Sequence, residues 1–134
     1  MTVPTSTTKR KSVTVDGLAH RYPVPNASRI GDLLVSGAIH GVSPETHELP
    51  EGLVAQCANV FANLRAVVEA AGGSTDDIIK VTVYLRDRDN RDALNEEWTR
   101  MFPDPASRPA RHSQPLLIDG PALIQCDFMA VLGR

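Results

Sequence analysis

The spacing of apolar residues changes repeatedly along the chain, and each change marks an element. Ser12 to Leu18 (SVTVDGL) alternates weakly, with Val13 and Val15 on one face. This predicts an edge strand that stops at the turn-forming pair Asp16-Gly17. Two prolines fix Tyr22 to Asn26 as an extended path, which excludes a helix there. Leu33 to Ile39 (LLVSGAI) reads as a buried strand. Its internal Ser36-Gly37 signals a bulge or a close approach of backbone or ligand. Gly41 to Gly52 is punctuated by Pro44 and Pro50 and reads as a loop.

From Leu53 to Ala71 the period becomes helical: Val54, Cys57, Ala58, Phe61, Leu64, Val68 and Ala71 recur at spacings of three and four. Gly72-Gly73 supplies a left-handed stop. Ile78 to Leu85 (IIKVTVYL) returns to alternation, with Ile79, Val81, Val83 and Leu85 on one face. A second helix, capped by Asp89 or Asn90, runs to about Phe102 with Leu94, Trp98, Met101 and Phe102 inward. Arg111 to Ile118 and Leu123 to Leu132 are the last strands, and Asp119-Gly120-Pro121 between them predicts a hairpin.

The predicted order is β-β-α-β-α-β-β, an α/β (α+β) two-layer sandwich with both helices on one face of a mixed sheet. The other face then needs cover, which implies an oligomer. The 134 residues fit one domain, with residues 1–11 as a loose tail ending in Lys9-Arg10-Lys11. Apolar residues make up 42% and charged residues 22%, a globular balance. Aromatics are only 4%, so aliphatic side chains must build the core.

Fourteen basic and sixteen acidic side chains leave a formal charge of −2, which argues against a nucleic-acid partner. Cys57 and Cys126 are too few for a disulfide framework and read as free thiols. No apolar run approaches the roughly 20 residues of a membrane span, and the polar N-terminus has no secretory pattern. The expected location is cytoplasmic.

The four histidines, His20, His40, His47 and His112, show no metal-ligand spacing, so no metal and no cofactor are expected. Phosphate-cradle and serine-elbow motifs are absent from the sequence. Two features carry chemistry. In Arg108-Pro-Ala-Arg111-His-Ser113, Arg111 enters a strand with Ser113 and Pro115 on its own face. An arginine so placed either is solvated at an edge or binds a carboxylate with two parallel hydrogen bonds. In Ile124-Gln-Cys-Asp-Phe-Met-Ala130, Gln125 and Asp127 share a face, and a carboxylate in so apolar a run needs a partner. The predicted hairpin would bring Asp127 beside Arg111.

Five segments together carry a resemblance: Gly31-Asp-Leu-Leu-Val-Ser-Gly37, Ala62-Asn-Leu-Arg-Ala66 with Glu69-Ala-Ala-Gly72, Val81-Thr-Val-Tyr-Leu85, Leu94-Asn95, and Pro109-Ala-Arg111. In this order and spacing the chain resembles the Rid (YjgF) family of reactive-intermediate deaminases, also described as L-PSP endoribonucleases. The resemblance spans about residues 20–132. It implies a chorismate-mutase-like fold, a homotrimer with clefts between subunits, and hydrolysis of small enamines and imines to 2-keto acids and ammonia. It places the carboxylate-binding arginine on Arg111, the strand serine and glycine on Ser36 and Gly37, and the helix asparagine on Asn95. Ser113 falls where the family often has cysteine. The family's acidic residue falls on Gln125, which is not a base at ordinary pH. Its cleft tyrosine has no match, since Val24-Pro25 occupies that region with Tyr22 nearby. The segment from Pro23 to Arg29 marks a divergent branch.

The resulting expectation is an imine or enamine deaminase in which Arg111 fixes the substrate carboxylate and Asp127 can replace the missing acid. The alternatives are a deaminase of larger aminated ring-cleavage intermediates, a non-catalytic trimer that senses keto acids, and a ribonuclease, against which the charge speaks.

Overall fold

The computed structural model describes residues 9–133. The strands are β1 (Arg10–Val13), β2 (Ala27–Ile30), β3 (Leu33–Ser36), β4 (Ile39–His40), β5 (Ile78–Leu85), β6 (Ala110–Pro115) and β7 (Ile124–Val131). The helices are α1 (Leu53–Ala70) and α2 (Asp92–Met101). One mixed sheet runs in the order β1-β2-β3-β7-β5-β6, with β4 also paired to β7. The expected α+β sandwich is present, with a mainly aliphatic core, drawn largely from α1, α2, β5 and β7, that also takes in Phe61, Trp98, Phe102 and Phe128.

Most of the tail expected over residues 1–11 lies outside the described residues, but Arg10 and Lys11 already belong to β1. Asp16-Gly17 does turn the chain, yet it closes no hairpin: β1 pairs antiparallel with β2, which lies beyond a long loop. Gly17 has φ +84 and sits against Pro44, whose carbonyl oxygen would lie 2.6 Å from an added Cβ. Buried Asn26 holds that loop, accepting from Val15 N–H and donating to Leu18 C=O, each at 2.8 Å. The sequence pattern missed β2, because ASRI is short and polar in its middle.

The run Leu33 to Ile39 divides at the predicted bulge. Val35 is opposite Met129, whereas Ile39 is opposite Cys126, so the β3–β4 side holds one extra residue. Another bulge lies at the start of β5, between Ile78 and Lys80. It turns Ile79 out to solvent and puts Ile78 in the core, which corrects the inward placement of Ile79.

Helix α1 ends as expected, with Gly72 at φ +90 and its N–H donating to Glu69 C=O. Its buried face is rotated from the predicted one. Val54 and Ala58 are exposed, and Gln56, Val60, Asn63 and Val67 are buried beside Cys57, Phe61 and Leu64. The reason is polar. Gln56 donates to Pro50 C=O (2.9 Å) and Pro121 C=O (3.2 Å) and accepts from Leu123 N–H (2.8 Å). Asn63 donates to His40 C=O (2.7 Å) and Val42 C=O (2.9 Å). These two amides satisfy loop and strand-end backbone that would otherwise be buried without partners. Helix α2 begins after Arg91 and has no side-chain cap at its start, unlike the cap expected from Asp89 or Asn90.

The last two strands do not form a hairpin. β6 pairs in parallel with β5, and β7 inserts between β3 and β5, antiparallel to both. The strand before α1 and the strand after it are therefore parallel but separated by β7. Leu33, Val35, Met129 and Val131 occupy one face of the sheet opposite the helices and are 40–48% exposed.

Candidate functional site

The register divides the sequence-predicted site residues between the two faces of the sheet. Arg111 is opposite buried Val81 and Ser113 is opposite buried Val83, so both point to the helix side. Gln125 is opposite Tyr84 and Asp127 is opposite Thr82, on the other side. The expected contact between Arg111 and Asp127 is thus absent. β5 stands between their strands, and the two side chains leave the sheet in opposite directions.

Arg111 is half-buried, with its guanidinium 5.0 Å from the centre of the Trp98 ring on α2. Its Nη1 is buried and has no hydrogen-bond partner among the described residues. Burial, followed by the charge of Arg91, lowers its proton affinity below the ordinary arginine value. A guanidinium remains charged even so. A desolvated cation with an idle donor gains from an anion delivered to it. Neighbouring Arg108 is the opposite case: it donates to Phe102 C=O (2.8 Å) and Pro103 C=O (3.4 Å), which closes the end of α2 and sets the entry into β6. Asn95 is exposed on α2, one turn beyond Arg91 and three residues before Trp98.

Ser36 serves the backbone. Its hydroxyl donates to Gly37 C=O (2.8 Å) and accepts from Phe128 N–H (2.9 Å), bridging β3 to β7 where the bulge breaks the ladder. Gly37 is exposed, and an added Cβ there would meet nothing closer than 3.8 Å. The chain itself therefore does not demand glycine at this position.

On the opposite face Asp127 has a partner that the sequence analysis did not assign. Tyr84 Oη donates to Asp127 Oδ2 at 3.1 Å, and burial together with this bond raises the Tyr84 pKa. Gln125 is 8% exposed and lies between Tyr84 and His40, its partners on β5 and β4. His40 was legible in the sequence only as one histidine of four, because β4 is two residues long and its pairing with β7 is not local. Its ring meets the ring of His20 edge-on at 5.8 Å, and Tyr22 and His47 line the same hollow. Among the described residues no three His, Cys, Asp or Glu side chains form a metal-holding group. Both cysteines are free and buried; burial pushes the Cys57 thiol up to about 11 and raises Cys126 as well.

Burial and the neighbouring charge of His20 lower the His40 pKa from 6.5. The unfolded chain then binds this proton more readily than the folded one, so stability is full above that value and falls as pH drops through it. Thermal melts should show the midpoint flat near neutrality and declining below about pH 6.5, above the range where carboxylates titrate. His40→Asn should flatten that decline; an unchanged pH profile in the variant would contradict the assignment.

The profile of the family described as endoribonuclease L-PSP matches residues 18–115. A RutC family protein from Aquifex aeolicus is 41% identical over 81 residues, which cover 60% of this chain and 64% of that protein. A protein of Escherichia coli K12 named 2-iminobutanoate/2-iminopropanoate deaminase is 32% identical over 83 residues, covering 61% of this chain and 65% of that protein. The aligned stretch thus spans somewhat less than two thirds of these two relatives. Among solved structures, RidA from an Antarctic Psychrobacter superposes with a TM-score of 0.82 at 29% identity, covering 90% of this chain and 98% of that one. The YjgF product of E. coli superposes with the same TM-score of 0.82 at 26% identity and the same coverage, 90% and 98%. The fold is therefore the chorismate-mutase-like one of these proteins, and with the profile spanning most of its length this chain belongs to the Rid (YjgF) family, the L-PSP endoribonuclease family of the profile.

Proposed function

We propose that the protein hydrolyses small imines or enamines bearing a carboxylate, giving 2-keto acids and ammonia. The observation that carries this reading is Arg111: a half-buried guanidinium on a Trp98 ring, with a buried donor that has no acceptor among the described residues. The relative named as an imine deaminase supports it. With the carboxylate clamped, the imine carbon is held for attack by water. Water forms the new C–O bond and its proton passes to nitrogen. The carbinolamine hydroxyl then gives up its proton to the amine, C=O forms as the C–N bond breaks, and ammonia leaves; an enamine first takes a proton on its carbon to become the imine. The carbon is already electrophilic, so positioning supplies much of the catalysis.

Gln125 and Asp127 lie on the face away from Arg111, so one chain does not present all three to one ligand. In this reading a second copy supplies them, in a homotrimer whose subunits cover Leu33, Val35, Met129 and Val131. Gln125 orients the water through its amide oxygen, Asp127 accepts the water's proton and passes it to nitrogen, and Ser113, Gly37 and Asn95 line the pocket. Gln125→Glu adds a base beside the water and should raise turnover.

Purified protein added to a coupled reaction that generates 2-aminoacrylate should speed release of pyruvate and ammonia, and sedimentation should give a trimer. Keto-acid binding without turnover would turn the reading into the sensing alternative. A monomer at micromolar concentration would remove the shared site.

A further inference from the structure

Arg111 is not the only cation at this site. Arg91 immediately precedes α2, and α2 also carries the Trp98 ring on which Arg111 lies. Arg91, Asn95 and Trp98 follow one another at spacings of four and three, along one stripe of that helix. Arg91 is half-buried and lies about two helical turns from Trp98, on the stripe that carries the ring beneath the Arg111 guanidinium.

Several other arginines of the chain have their partners built in. Arg29 donates to the carbonyls of Gly31 and Ala71, and Arg86 to those of Ala122, Ile118 and Gly120. Arg100 pairs with Glu96 and Glu97. Among the described residues the Arg91 side chain, by contrast, donates only through Nε, to Arg88 C=O at 2.8 Å, and the buried Nη1 of Arg111 has no acceptor. Among the described residues the ion pairs are those of Arg100, so no carboxylate lies within ion-pair distance of Arg91 or Arg111. Like charges on one side of a site repel, and a ligand with two negative groups that reaches both relieves the repulsion.

We propose that Arg91 makes this a site for a dianion: the substrate is the imine or enamine of a dicarboxylic acid, with its 2-carboxylate on Arg111 and its second carboxylate on Arg91. The proposal rests on the reading of Arg111 as a carboxylate clamp and adds the substrate class to it. Arg91 is then a specificity-determining residue. Its guanidinium fork matches a carboxylate, and its exposed side lets a longer substrate extend away from Trp98.

Calorimetry with the product-like keto acids tests it. The probes are 2-oxoglutarate against 2-oxopentanoate and 2-oxoadipate against 2-oxohexanoate, pairs that differ in the distal carboxylate. The native protein should bind at least one dicarboxylate about tenfold tighter than its partner, and added salt should shrink that ratio. Arg91→Gln should bring the ratio close to one, and Arg91→Lys should keep part of it. Sedimentation of each variant establishes that the assembly is unchanged. A ratio near one in the native protein, or a ratio that survives Arg91→Gln, overturns the proposal. Selective dicarboxylate binding lost in Arg91→Gln, with no imine turnover, upholds the dianion site and removes the deaminase reading alone. If neither member of a pair binds, both fall.

Discussion

Arg111→Ala should abolish keto-acid binding and imine turnover while leaving the protein folded. Two charge-assisted hydrogen bonds to a carboxylate, at about 1.5–3 kcal/mol each, correspond to a loss of about a hundredfold or more in affinity. The same substitution should cost little stability, because the side chain it removes is a desolvated cation with a buried, unpartnered Nη1. What is lost on folding grounds is the contact with the Trp98 ring, worth about 1 kcal/mol. A structural arginine would behave the other way round: Arg108, which closes the end of α2 through two carbonyls, should affect stability more than binding. Arg111→Lys keeps the charge but not the planar fork, so it should still lose most of the binding. Calorimetric titration with pyruvate, together with a thermal melt of each variant, reads both effects. Wild-type affinity in a folded Arg111→Ala protein would remove the carboxylate clamp.

The largest expected effect on stability belongs to Gln56→Ala. Gln56 is 1% exposed and ties three separate pieces of backbone to the first turn of α1: Pro50 before the helix, and Pro121 and Leu123 in the loop that leads into β7. Truncation leaves one N–H and two carbonyls short of a partner and opens a gap beside Gly41, which approaches the Gln56 backbone too closely for any Cβ to fit between them. At about 1–3 kcal/mol for each buried group left unsatisfied, the loss should be about 2–4 kcal/mol, since water can reach part of the loop. Urea denaturation measures the total. Hydrogen exchange at the Leu123 amide should accelerate more than exchange in the middle of β5. A loss below about 1 kcal/mol would mean that the loop is held by other contacts.

The elements legible in the sequence were those whose signal is local. The 3.6-residue period, closed by Gly72-Gly73, marks α1, and alternation marks β5 and β7. Ser36-Gly37 marks the bulge because small residues inside an apolar run are a local break, and Arg111 and Ser113 share a face because side chains alternate along any strand. Family resemblance then pointed to Arg111 through residues next to it in the chain. The largest errors share one cause. The turn at Asp119-Gly120-Pro121 announces a reversal of direction but not the slot into which the chain returns. β7 gains more by entering between β3 and β5, where both of its edges are paired and Ile124, Cys126, Phe128 and Ala130 are buried, than by pairing with β6 at the edge. That insertion moved Asp127 away from Arg111 and gave it Tyr84. The rotation of α1 likewise followed from carbonyls that Gln56 and Asn63 meet only after the loops have folded over the helix. The sequence by itself therefore determined the long elements and named the candidate residues on them. Only the tertiary structure decided which of them meet, because strand pairing is a choice among distant partners that no local period encodes. It is that choice which put β5 between Arg111 and Asp127 and turned the two side chains to opposite faces of the sheet.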